Sequence, residues 1–224
     1  MSDINPGAIF IALVVLAFSL SFHEMAHAWT ALKLGDRTAY NEGRVSMNPA
    51  VHVDPIGTIL FPLVGMVFAA AGHYLPLIGW AKPVPFLVRN LSRPRRDVIL
   101  IALAGPASNL LLAVLVAVLI RVSLTQGWIE LDMSGRMLGP QGEILTRAFG
   151  TNLGLMVFNL IPIPPLDGGK VLSNLLPLRS GLAFDEFAGQ YGFVLLYLLL
   201  LTGALSYIVQ PPLTFFAFLL LRLW

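Results

Sequence analysis

Between Pro6 and Leu34 the chain keeps an apolar run broken chiefly by one polar cluster, Phe22-His23-Glu24-Met25-Ala26-His27-Ala28. In hydrocarbon every backbone polar group must be bonded within the segment, so a run of this kind is a membrane-spanning helix. Asn5 supplies an N-cap, Pro6 suits the first helical position, and Gly35 is a natural stop. About 29 residues at 1.5 Å each give roughly 43 Å, enough to span with an overhang. Residues four apart share a helix face, so His23 and His27 can offer two imidazole nitrogens to one ion. Glu24 is rotated from His23 by about a hundred degrees, which sets it beside such an ion rather than on it. There it serves as a base toward a water activated by the metal. The motif lies in the last third of the helix, placing an ion on the order of 10 Å inside one membrane face. An apolar helix that merely contains two histidines is the plain alternative. Two histidines and a glutamate at this depth are too expensive without a function to favour it.

Of the 224 residues 57% are hydrophobic and only 12% charged, which leaves no polar stretch long enough to bury a second core. Residues 1–224 therefore read as one integral membrane domain, with C-terminal helices over about 190–224. The net charge of +2 does not point to nucleic acid, because the basic residues cluster in short loops. With no cysteine there is no thiolate ligand and no thiol nucleophile. The N-terminus lacks the positive n-region of a cleavable signal, and its apolar run continues into the motif.

The pattern predicts an all-α polytopic protein of about five spanning helices: 6–34, 98–122, 144–163, 190–208 and 211–224, the last two split by Pro211-Pro212. The apolar stretch 55–80 is interrupted by Pro62, Gly65, Gly72, Pro76 and Gly79, as in a re-entrant or broken hairpin. Short extended segments are expected at 43–49 and at Lys82-Pro83-Val84-Pro85-Phe86, where the prolines forbid a regular helix.

Two histidines leave a catalytic zinc one protein ligand short. His52, His73, Asp54, Asp97 and Asp167 are the candidates. Asp167 is best placed, after a span that ends in three prolines and before two glycines, although such a carboxylate also caps helices. For Asp167 to meet His23 and His27, the two helices that deliver them must run in the same direction. An even number of crossings must then separate them, so 55–80 must return to the side it left. The charges agree: this topology puts eleven of the fourteen Lys and Arg residues on the motif side, leaving Arg121, Arg136 and Arg147 opposite. By the positive-inside rule the motif side is cytoplasmic.

His23-Glu24-Met25-Ala26-His27, with Asn159-x-x-Pro-x-Pro-Pro-Leu-Asp167-Gly-Gly and Ala104-Gly105-Pro106-x-x-Asn109, resembles the site-2 protease family of intramembrane zinc metalloproteases. The resemblance covers about residues 9–175, which it implies to be the catalytic core, in a compact form without a PDZ or nucleotide-sensing domain. The resemblance implies His23, His27 and Asp167 as ligands of one zinc ion per chain and Glu24 as general base. It also implies Asn159 as a polar group near the scissile peptide; its other reading is an interhelical hydrogen-bonding residue.

The expected function is cleavage of a peptide bond within or near the transmembrane segment of a single-span membrane protein. The expected setting is a bacterial-type inner membrane, with the lipid bilayer as the other partner. A helical substrate must unwind to be cut, and Val45–Asn48 or Lys82–Phe86 are candidate edges to hold it extended. A membrane metal-ion carrier is the rival class, disfavoured by the lack of repeats and of polar residues spread across the bilayer depth. A non-catalytic metal-binding scaffold is the other, disfavoured because a structural site closes with four ligands and needs no base.

Overall fold

The computed structural model describes residues 6–70 and 80–222. The first helix, α1 (Pro6–Lys33), runs from Pro6 to the predicted stop, where Gly35 takes φ +107°. After a single turn, α2 (Thr38–Asn41), and a 3₁₀ turn at Pro49–Val51, Asp54 caps the next segment through Ile56 N–H (2.9 Å) and Gly57 N–H (2.8 Å). That segment is a π-helical stretch, Pro55–Leu60, that passes into α3 (Phe61–Ala70). Residues 71–79, and with them the tip of the expected hairpin and His73, lie outside the described residues. At Trp80 the chain is back where it left: Trp80 N–H donates to Gly57 O (3.2 Å), and Thr58 Oγ1 donates to Trp80 O (2.7 Å). This is the return to the same end that the topology argument required.

Residues 81–87 then form neither helix nor strand, the prolines at 83 and 85 hold Lys82 and Val84 extended, and no strand forms among the described residues. Two long helices follow, α4 (Pro94–Thr125) and α5 (Gly139–Asn159), then a proline-rich loop, the short α6 (Asp167–Leu175), and α7 (Leu178–Leu201) and α8 (Ala204–Arg222). By length and hydropathy α1, α4, α7 and α8 can each cross a membrane. The 21-residue α5 carries Glu143 and Arg147 near its start, bonded to each other at 2.9 Å, and packs among α1, α4 and α8. The C-terminal pair divides at Gly203 (φ +73°), not at Pro211-Pro212, which sit inside α8. A proline in a membrane helix is tolerated where neighbours re-satisfy the backbone, whereas a left-handed residue ends the helix outright.

Contacts set the helix directions. His27 meets Ile101 while Ser19 and His23 meet Asn109, so α1 and α4 are antiparallel. Asn109 also meets Asn152, and α5 continues from there toward the level of His27, parallel to α1. The α4–α5 seam uses Ala113, Ala117 and Ile120 against Phe149, Leu153, Met156 and Val157. Small residues let the backbones approach, and in lipid this close packing, not water exclusion, supplies the attraction. A second cluster, Ala31, Leu91, Val98 and Ile101 with Phe86, fixes the start of α4 and the end of the extended segment against α1.

Candidate metal centre

Three buried side chains converge where α1, α4 and α6 meet. His23 Nε2 lies 3.1 Å and His27 Nε2 3.2 Å from the same oxygen, Asp167 Oδ2. Donors about 2.0–2.1 Å from a tetrahedral zinc are themselves about 3.3 Å apart, so this spacing is that of ligands around one ion. No other group of three His, Asp or Glu residues among the described residues has this closeness.

Each candidate ligand is aimed by a partner. Asn109, wholly buried, commits its amide nitrogen to Asn152 Oδ1 (2.9 Å) and Ser19 O (3.2 Å). Its oxygen therefore accepts from His23 Nδ1–H (2.6 Å). His27 Nδ1–H donates to Ile101 O (2.6 Å), an oxygen that can only accept. Both protons thus sit on Nδ1, and both Nε2 lone pairs face Asp167, as metal-binding histidines require. Lys170 Nζ holds Asp167 Oδ1 at 3.1 Å, which leaves Oδ2 for the histidines.

Gly105 makes the space. A Cβ there would lie 2.4 Å from His27 Nε2 and 2.5 Å from His23 Nε2, where a coordinated ion belongs. Gly168 and Gly169 do the same for the aspartate. A side chain on Gly168 would meet Ile161 O and Leu160 O at 2.4 Å, and one on Gly169 would meet Pro164 N at 2.7 Å. Only glycines let α6 begin so close under the 160–165 loop, and α7 presses on that loop from outside, its Gly192 against Pro164 O. Fixed tautomers, matched spacing and a cleared pocket fit a divalent cation of zinc type.

Glu24 stands beside the ligands, half-buried, its Oε2 accepting from Val84 N–H at 3.2 Å. Asn159 ends α5, and its amide donates to Leu155 O one turn back (3.0 Å). The remaining candidate ligands have other duties. Asp54 caps the π-helical segment, and Asp97 accepts from Arg93 N–H at the start of α4 (2.8 Å). His52 Nε2–H donates to Ser46 O (2.7 Å). Burial holds His52 below its usual pKa; the Arg44 cation adds to this, while Ser46 O and Glu24 oppose it.

Gly105 and Asn109 stood in the sequence only as part of a motif, with no role given to either, and Asn152 and Lys170 were not singled out for the site. A polar residue in the middle of a span was the available signal for both asparagines.

The model of peptidase family M50 matches residues 11–134 and 138–202. "Putative zinc metalloprotease YwhC" of Bacillus subtilis is 34% identical over 203 residues, covering 90% of this chain and 84% of that relative. "Putative zinc metalloprotease Rip2" of Mycolicibacterium smegmatis is 29% identical over 204 residues, covering 89% and 70%. "Putative zinc metalloprotease MJ0611" of Methanocaldococcus jannaschii is 30% identical over 162 residues, covering 72% and 69%. No solved structure gives a significant match.

Proposed function

From the premise that the chain belongs to peptidase family M50, the site-2 protease family, we propose that it is an intramembrane zinc endopeptidase acting on a single-span membrane protein. The observation that carries this reading is the pair of 3.1 and 3.2 Å approaches of His23 and His27 to Asp167 Oδ2, with Glu24 alongside. His23, His27 and Asp167 would hold one zinc per chain, and the ion when bound would supply Lewis acidity toward a water near neutral pH.

The chain's own residues do the rest. Glu24 takes the proton of the attacking water and delivers it to the leaving amine. Asn159 turns its amide from Leu155 O to the substrate carbonyl, where the developing negative charge strengthens the bond. The burial of His23, His27 and Asp167 keeps bulk water away, which strengthens each of these interactions. The loops on this side carry most of the basic residues, so the active site faces the cytoplasm, in a bacterial-type inner membrane.

Reconstitution with a single-span substrate tests this. Cleavage should stop with a zinc chelator, return on adding zinc, and give products whose masses place the cut in or beside the span. Cleavage indifferent to chelation, or confined to soluble peptides, would sink the reading.

A further inference from the structure

The extended segment after Trp80 is tied down at both ends, and its middle faces Glu24. At one end Lys82 N–H donates to His52 O (2.8 Å), and the Trp80 ring sits on Gly57, where a Cβ would meet it at 2.4 Å. Arg44 Nη2 donates to the carbonyl of Lys82 and to that of Pro83 (3.3 Å). At the other end Leu87 N–H donates to Asp36 Oδ2 (2.8 Å), Asn90 Nδ2 donates to Asp36 Oδ1 (2.7 Å), and Phe86 packs on the Ala31–Ile101 cluster. Asp36 and Arg44 are 0% and 2% exposed, so both clamps are shielded from water.

The middle is Pro83-Val84-Pro85. Proline has no N–H, and the residue before a proline is held extended. Val84 is therefore the single amide donor between Lys82 and Phe86, and it points at Glu24 Oε2. A charged carboxylate held by one backbone N–H loses rotational freedom at that oxygen and presents the other to the reacting groups.

We propose that residues 82–87 form a strap whose one free amide orients Glu24, and that Arg44 is a positioning residue for catalysis because it clamps the strap. This rests on the protease reading given above. Arg44 reaches both carbonyls through a single guanidinium nitrogen, Nη2, whose two hydrogens can serve one carbonyl each. Its Nε and Nη1 have no partner among the described residues, so the hydrogen bonds of its side chain all go to the strap.

The test compares Val84→Pro, Val84→Ala, Arg44→Ala and Arg44→Lys as full-length protein in liposomes. Val84→Pro removes the N–H; Val84→Ala keeps it. Val84→Pro and Arg44→Ala should lower kcat roughly ten- to hundredfold, the scale for a misplaced catalytic group, with KM and zinc content unchanged. Val84→Ala, which keeps the amide, should lose much less of kcat than Val84→Pro, and Arg44→Lys should recover part of what Arg44→Ala loses. A wild-type kcat in Val84→Pro overturns the proposal, as does zinc loss in either variant that accounts for the fall in rate.

Hydrogen exchange of the 82–87 peptide gives a second readout that needs no turnover. Glu24→Ala should speed exchange at Val84 about tenfold or more, since a bond to a charged acceptor is lost. Unchanged exchange would overturn the strap. If this protection is present and wild-type protein cuts no membrane substrate, the protease reading fails while the contact stands.

Discussion

Gly105→Ala sets helix propensity against the site. In a helix this change favours the fold by about 0.5–1 kcal/mol, because alanine loses less backbone freedom than glycine. Here the added methyl would lie 2.4–2.5 Å from both Nε2 atoms, against ordinary contacts of 3.4 Å or more. Both rings must withdraw by roughly 1 Å, several times the ~0.2 Å tolerance of a zinc–nitrogen bond. Neither can do so freely, since Asn109 Oδ1 and Ile101 O hold the far nitrogens at 2.6 Å. Structural zinc sites bind with about 10–16 kcal/mol over four ligands, so each ligand contributes roughly 3 kcal/mol, or more than a hundredfold in affinity. Weakening two of them should therefore lower zinc affinity by at least about a hundredfold, read by competition with a calibrated chelator. With no cysteine in the chain, adventitious thiolate binding does not blur that reading. Gly154→Ala in α5, where a Cβ meets nothing within 4 Å, is the matched control and should bind zinc as wild type does. Gly105→Ala protein that binds zinc within tenfold of wild type would refute the placement of the ion between these rings.

Asn109→Leu should lower zinc affinity about 10–100-fold, the usual effect of losing a partner that orients a metal ligand; an unaltered affinity would show that the bond to His23 does not matter. Asn159→Ala should lower kcat about a hundredfold or more while zinc content holds, as for an oxyanion donor; equal loss of zinc would mark it as structural. Asp36 has a pKa below its ordinary 3.8: burial acts to raise it, and bonds from Thr38, Asn90 and Leu87 together outweigh that. The stabilisation this carries is whole above pH 3.8 and fades as pH falls below it toward the folded value. Asp36→Asn should therefore cost about 2–3 kcal/mol near neutrality, by removing charge-assisted bonds, and should flatten the acid limb of the melting curve. Identical acid limbs in the two proteins would contradict this.

The candidate ligand set was legible because its chemistry is dense: two histidines one helical turn apart, a neighbouring carboxylate, and a second carboxylate directly after a proline-broken loop, where α6 begins. Bringing these together fixed helix directions, and the return of Trp80 to Gly57 follows from them. Residues that act across helices were harder to read. Asn109 and Asn152 lie 43 positions apart and leave no periodic trace, and their meaning appears only when α4 and α5 pack. Gly105 looks like any small residue at a helix seam until the rings of His23 and His27 are placed against it. Pro211-Pro212 suggested a break because proline disrupts isolated helices, whereas the break fell at Gly203, which carries no warning beyond being glycine. Arg44 gave no signal either, since its partners are backbone carbonyls that any sequence supplies.

The central claim is that a zinc ion held by His23, His27 and Asp167 works with Glu24 to hydrolyse a membrane substrate. Wild-type and Glu24→Gln proteins, reconstituted with a single-span substrate and measured for both cleavage and zinc, test it most directly. The account predicts equal zinc, near one ion per chain, with cleavage lost in Glu24→Gln by about a hundredfold or more. Cleavage that survives in Glu24→Gln, or a wild-type protein that holds no metal, would contradict it.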